Sequence, residues 1–213
     1  KFAGMFYPEN KNELAEMIDG FFDNVKNVKY TGDLKAIIVP HAGYVFSGQT
    51  AAYCYKLIPK DTKRVILIGP SHQLAFRGIA SSGEDWQTPL GTVKAIPLEN
   101  EIVRIDETPH HKEHSLEVQL PFIQRTLGED VEAMMLATNE TNLSRAARMI
   151  EEMLDSETLL VISTDLSHFY DVETAKNLDD QTSKDILHKN IDALDHDEAC
   201  GLEGVKIAVE LAR

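Results

Sequence analysis

Arg64-Val65-Ile66-Leu67-Ile68-Gly69-Pro70-Ser71-His72 is a short apolar run, rich in β-branched residues, that stops at Gly69 and Pro70 and delivers Ser71 and His72 where it ends. A continuous apolar run of this length reads as a strand buried on both faces. In an open α/β sheet, ligands bind just beyond the carboxyl ends of such strands. The same pattern occurs twice more. Lys35-Ala36-Ile37-Ile38-Val39 runs into Pro40-His41, and Thr158-Leu159-Leu160-Val161-Ile162 runs into Ser163-Thr164-Asp165-Leu166-Ser167-His168. Three buried strands therefore deliver His41, His72 and His168 to one predicted edge of a sheet.

Outward from these strands the chain alternates. Residues 10–22 predict an amphipathic helix with Leu14, Ile18 and Phe21 on one stripe. Residues 25–33 read as a polar connection. Residues 42–48 read as a tight loop whose glycines allow positive φ and close approach to a ligand. Residues 49–57 predict a helix stopped by Pro59. Residues 79–91 are loop-rich and suit a pocket wall, residues 93–97 predict a strand, and residues 99–112 a lid or surface excursion. Residues 113–122 open a helix striped by Leu116, Leu120, Ile123 and Leu127, with Pro121 kinking it or marking its first turn. A strand over 131–137, a helix over 143–154, a polar helical stretch over 172–194 and a last helix over 204–213 complete the pattern. Such alternation predicts an α/β fold, a three-layer α/β/α single domain over residues 1–213 with a largely parallel central sheet.

Composition narrows the function classes. The 213 residues are enough for one large core. A formal net charge of −14 argues against a nucleic-acid footprint, which needs a basic face, and against docking on an anionic membrane. Residues 36–55 carry no formal charge, but Pro40, His41, Gly43, Ser47, Gly48 and Gln49 mark them as strand, loop and helix rather than a membrane span. Two cysteines, Cys54 and Cys200, make no disulfide framework, and with no signal-peptide pattern a cytoplasmic setting is expected. A start at Lys1 rather than Met and an abrupt end at Arg213 raise the expectation that either end, or a flexible loop, is missing from this sequence.

A single histidine at a strand end is most often structural; three at equivalent ends of one sheet point to a site. Histidine with an acidic or thiolate partner is the ordinary vocabulary for a transition metal. Cys200 is the natural soft partner and precedes a helix, whose N-terminus would favour a thiolate; a buried apolar thiol is the other reading. Cys54 reads as a small core residue. His114 and Glu117, at i and i+3, share a helix face; they either line the site and orient a ligand histidine, or form a cap and a surface pair. Asp165 and His168 follow a strand, where a carboxylate and an imidazole can share a proton. His110, His111, His188 and His196 lie in polar stretches and read as solvated. Ser71 and Ser167 adjoin histidines outside any G-x-S-x-G elbow, and the chain has no C-x-x-C, H-E-x-x-H, P-loop or G-x-G-x-x-G.

Taken in order, Ala3-Gly4-Met5-Phe6-Tyr7-Pro8, Pro40-His41-Ala42-Gly43-Tyr44 with Ser47-Gly48, Gly69-Pro70-Ser71-His72, Thr88-Pro89-Leu90-Gly91, Glu113-His114-Ser115-Leu116-Glu117 with Leu120-Pro121, Asp165-Leu166-Ser167-His168 and Cys200-Gly201 span nearly the whole chain. The ordered set resembles the MEMO family (mediator of ErbB2-driven cell motility), whose microbial members include AmmeMemoRadiSam system protein B. That family is similar in fold to the class III extradiol dioxygenases, non-haem iron enzymes that cleave catechol rings. The resemblance implies a transition-metal pocket with His41, His72 and Cys200 at the ligand positions, iron or copper ranking ahead of zinc. It implies His168 as the acid/base group beside Asp165 and matches His114 and Glu117 to a family motif; Tyr44, Ser71, His114 and Glu117 are expected as pocket residues. It also implies a functional link to radical-SAM and AMMECR-type proteins, and a closing strand beyond the last helix that this chain does not include. The dioxygenases place a carboxylate where this chain has Cys200, so ring cleavage does not carry over.

Three functions fit these residues: a metal-dependent oxidoreductase, a module that binds a peptide or small-molecule ligand in the same pocket without chemistry, and a metal-dependent hydrolase using bound water.

Overall fold

A computed structural model describes residues 1–26, 30–195 and 199–213. His196 and part of the connection expected over residues 25–33 lie outside the described residues.

The stretch quoted first is strand β2, Arg64–Pro70. It pairs in parallel with β8, Thr158–Ser163, on one side and β7, Glu132–Asn139, on the other. β1, Ala36–Val39, pairs in parallel with the far side of β8. Strands β1, β8 and β2 are thus adjacent and parallel, as the three apolar runs required, and Val39 lies opposite Ser163. The sheet order is β1-β8-β2-β7-β3-β6, where β3 is Gly78–Ser81 and β6 is Val103–Ile105.

Alternation along β2 explains the layering. Val65 and Leu67 enter a core with helices α1 (Lys11–Asn24), α2 (Tyr44–Tyr55) and α3 (Leu120–Leu127). Ile66 and Ile68 enter a second core with α4 (Leu143–Met153) and α6 (Leu202–Leu211). Side chains at successive strand positions point to opposite faces, so a run apolar at every position belongs between two helical layers. The polar helix α5, Val172–Leu187, keeps Leu187 exposed and buries only Thr182 and Asp185.

Several local expectations are corrected. Helix α2 begins at Tyr44 rather than at residue 49, with Gly43 as its N-cap at φ −55°. Gly48 lies inside that helix, and its lack of a side chain serves packing rather than positive φ. A Cβ there would fall 2.4 Å from Phe21 Cε2, so glycine is what lets α2 close on α1. The wall expected over residues 79–91 contains β3 (Gly78–Ser81) and β4 (Trp86–Thr88), and the strand expected over 93–97 is β5 (Gly91–Ala95). The supposed lid over 99–112 supplies β6, Val103–Ile105, which pairs in parallel with β3 at the edge of the sheet. β3 itself runs antiparallel to β7. Strands of three or four residues carry too little alternation to show in sequence, and their pairing is settled by distant neighbours. The helix expected from residue 113 begins at Leu120, after a turn and a 3-10 segment at Glu117–Gln119. Pro121 falls in its first turn, where the missing N–H leaves no hydrogen bond unmade. Among the described residues no helix is long and apolar enough to cross a membrane.

Candidate metal centre

The register of β1 against β8 carries His41 over the end of the central strand. His41 is 1% exposed. Its backbone N–H donates to Asp165 Oδ1 at 2.7 Å, and that of Ala42 to the same oxygen at 3.2 Å. The ring is held at its back by Ser163 Oγ, 2.9 Å from Nδ1. Its front atom, Nε2, lies 3.3 Å from Cys200 Sγ.

His72 is seated by a carboxylate. Its backbone N–H donates to Glu113 Oε2 at 2.6 Å, and Nδ1 lies 2.9 Å from Oε1. The Ser115 N–H adds a third bond to Oε1 at 2.9 Å. An ionised carboxylate only accepts, so His72 Nδ1 carries a proton and Nε2 is left toward the pocket. Burial raises the Glu113 pKa, but the His72 ring and the Ser115 and His72 amides outweigh it and hold the carboxyl at about 2. Hydrogen bonds from the ring to Cys200 and Glu113 raise His72 to about 10 against the opposing effect of burial.

His114 completes the ring cluster. It stacks on Phe6 with centroids 4.5 Å apart and on His72 at 5.0 Å, and meets His41 edge-on at 5.3 Å. Burial lowers its pKa to about 4, leaving it uncharged at neutral pH, with Glu113 opposing the shift. One ring nitrogen from each of His41, His72 and His114 lies within 4.8 Å of the others, a spacing that could hold a metal ion.

Cys200 sits just ahead of α6, where the Asp165 N–H reaches Sγ at 3.2 Å. Burial pushes the thiol up, but hydrogen bonds from His41 and then His72 pull it further down, to about 6. These two imidazoles and the Asp165 amide favour the thiolate. Gly201 lets this segment touch the end of β8: a Cβ there would fall 2.6 Å from the Ser163 carbonyl oxygen. A cavity of about 320 Å³ opens beside Cys200, lined in part by Ser71, His72, Thr138, Asn139 and Glu203.

The sequence-predicted residues divide clearly. His41, His72, Cys200 and His114 converge. Asp165 lies between two histidines, its Oδ2 being 3.9 Å from His41 Nε2 and 3.7 Å from His168 Nε2. The His168 contact is an ion-pair distance rather than a hydrogen bond, and that side chain is 40% exposed. Ser71 lines the cavity while donating to the Leu74 carbonyl.

Tyr44 and Glu117 are corrections. The Tyr44 hydroxyl donates to the Val118 carbonyl, and its ring packs in the core on Tyr7 and Phe122. Glu117 Oε1 accepts from the Phe2 amide and the Tyr7 hydroxyl, and the residue lines a separate cavity with Trp86 and His110. His114 and Glu117 share no helix face, because residue 114 precedes the first helical turn. His110 is not solvated: it is 3% exposed and packs edge-on to Trp86. His111 and His188 are exposed, as expected. The carboxylate that orients a site histidine is Glu113, four residues before the one singled out from sequence. Its adjacency to His114 was the visible hint, but its partner is 41 residues away.

The family model described as Memo-like protein matches residues 1–209. The chain belongs to the Memo family. It is 33% identical over 207 residues to a MEMO1 family protein of Nitrosopumilus maritimus, covering 89% of this chain and 75% of that one. It is 38% identical over 191 residues to a MEMO1 family protein of Aquifex aeolicus, covering 84% and 70% respectively.

Proposed function

We propose that the pocket is a transition-metal centre held by His41, His72 and Cys200, and that it serves an oxidoreductase reaction on a small-molecule or peptide substrate. One observation carries this reading. Both imidazoles have Nδ1 engaged at the back, by Ser163 and Glu113, while Nε2 of His41 lies 3.3 Å from a thiol biased toward thiolate. Metal–nitrogen bonds of about 2.0–2.1 Å and a metal–sulfur bond of about 2.3 Å at tetrahedral angles put nitrogen and sulfur roughly 3.5 Å apart. The His41–Cys200 edge is close to that, which supports an ion held between these two side chains beside the ring cluster. A soft thiolate with two imidazoles suits copper or iron as well as zinc, and a bound redox metal would supply electron transfer. His114, uncharged and within reach, is either a fourth donor or a wall of the site.

The chain's own residues supply proton handling. Asp165 is fixed through Oδ1 by two backbone amides, leaving Oδ2 toward His168. A proton held on His168 Nε2 by that oxygen leaves Nδ1 as the basic atom. Catalytic hydrogen bonds are commonly long until substrate arrives, so 3.7 Å is compatible with this pairing.

Metal analysis of protein loaded separately with copper, iron and zinc tests the reading. Stoichiometric copper or iron that cycles between oxidation states is expected; retention of zinc alone favours hydrolysis, and no metal under any loading favours a binding module. His72→Ala should lose the ion. His168→Ala should keep it and lose turnover on the order of 10²–10⁴-fold, the usual cost of removing an acid/base group. Loss of metal in His168→Ala to the same extent as in His72→Ala would make His168 a ligand and refute its role.

A further inference from the structure

Ser163, the last residue of β8, is fully buried, and its hydroxyl has three polar neighbours. They are Gln119 Nε2 at 2.8 Å, the Ser115 carbonyl oxygen at 2.6 Å and His41 Nδ1 at 2.9 Å. A serine hydroxyl has one proton to give and two lone pairs to offer. The Ser115 carbonyl can only accept, so the proton goes there; otherwise two oxygens would face each other at 2.6 Å with no proton between them. The Gln119 amide nitrogen can only donate, so it takes one lone pair. Its orientation is fixed on both sides. Nε2 also donates to the Pro40 carbonyl at 2.9 Å, and Oε1 accepts from the Tyr55 hydroxyl at 2.9 Å. Tyr55 is itself buried, which keeps its phenol protonated and donating. One lone pair of Ser163 remains for His41, and only a proton on Nδ1 can fill it.

We propose that Ser163, held by Gln119 and the Ser115 carbonyl, is a positioning residue that keeps a proton on His41 Nδ1, so that Nε2 is the ring nitrogen turned to Cys200, donating to the thiolate when it carries a proton and offering its lone pair to an ion when it does not. Every member of this chain from Tyr55 to Ser163 is uncharged, so the arrangement is set by hydrogen bonding alone and stands before any ion arrives. The tautomer follows from the hydrogen-bond inventory; its value for binding an ion rests on the metal-centre reading. His72 Nδ1 is also engaged at the back, by the Glu113 carboxylate instead of a hydroxyl.

Nitrogen-15 ring correlation spectra of the metal-free protein test this directly, with His41 assigned from the signals missing in His41→Gln. On the alkaline plateau of the ring shifts, His41 Nδ1 is expected in the protonated range and Nε2 in the unprotonated range. A wild-type spectrum with the proton on Nε2 overturns the proposal by itself, whatever the variants do. Ser163→Ala is expected to lose the pure Nδ1–H pattern, and an unchanged pattern also overturns it. Cobalt(II) titration of the same proteins gives the second readout. Binding in Ser163→Ala should weaken about 10–100-fold, as is usual when the partner that orients a ligand histidine is removed. Equal affinity in the two proteins would overturn the positioning role. If wild type shows the Nδ1–H tautomer yet binds no cobalt, the tautomer stands and the metal-centre reading fails.

Discussion

Replacing Glu113 with glutamine tests how much of this pocket is held by one buried carboxylate. Glu113 accepts from the His72 amide, the His72 ring and the Ser115 amide in a space its side chain shares with no solvent. Glutamine keeps the shape but turns one acceptor into a donor, so at least one N–H is left facing another. An unsatisfied buried donor costs about 1–3 kcal/mol. An independent figure comes from the carboxyl itself. Its pKa falls from 4.5 to about 2 in the fold. At 1.36 kcal/mol per unit this is about 3 kcal/mol in favour of the folded, ionised form. Because the folded pKa is the lower one, that stability is present above pH 4.5 and is lost as the pH falls toward 2. Urea unfolding of metal-free wild type and Glu113→Gln should therefore show a gap of about 3 kcal/mol at pH 6 that narrows progressively below pH 4.5. Metal affinity should fall about 10–100-fold in the same variant, since His72 loses the group that orients it. Equal urea midpoints at pH 6, or a gap that does not narrow in acid, would refute the reasoning.

Two further outcomes follow from the thiol and its neighbour. In the metal-free protein, thiolate ultraviolet absorbance present in wild type and absent in Cys200→Ser should rise with a midpoint near pH 6; a midpoint near the ordinary thiol value of 9 would show that His41 and His72 do not stabilise the thiolate. Gly201→Ala should displace the Cys200 segment from β8, because the added Cβ meets backbone at 2.6 Å and no side-chain rotation relieves it. Overpacking of this kind costs about 1–3 kcal/mol, read as a lower melting temperature, and metal retention should fall with it; a variant with unchanged melting and metal content would show that the contact is not tight.

The sequence by itself determined the central layer. Residues 36–39, 65–68 and 159–162 are apolar at every position, and a strand covered on both faces buries such a run, so parallel neighbours flanked by helices are legible in the sequence. The same runs placed His41 and His72 at one edge, because a strand's end is set by where its apolar run stops. Cys200 was readable as a candidate through its residue type and its place in an ordered set of motifs, but nothing local said that it approaches His41. What the tertiary structure decided lies between residues far apart in the chain. Glu113 holds His72, Gln119 and Ser163 hold His41, and Gly201 packs on β8. Helical spacing from residue 113 offers Glu117 either as a site residue beside His114 or as part of a cap and surface pair, whereas the chain turns there and sends Glu117 to Tyr7. His110 was read as solvated because its sequence neighbours are polar, yet β6 and the turn after it fold its ring against Trp86. Apolar periodicity is a local property and survives in a one-dimensional reading. The partner of a polar group is chosen by which strand ends and turns meet in space, and only the folded chain brings those together.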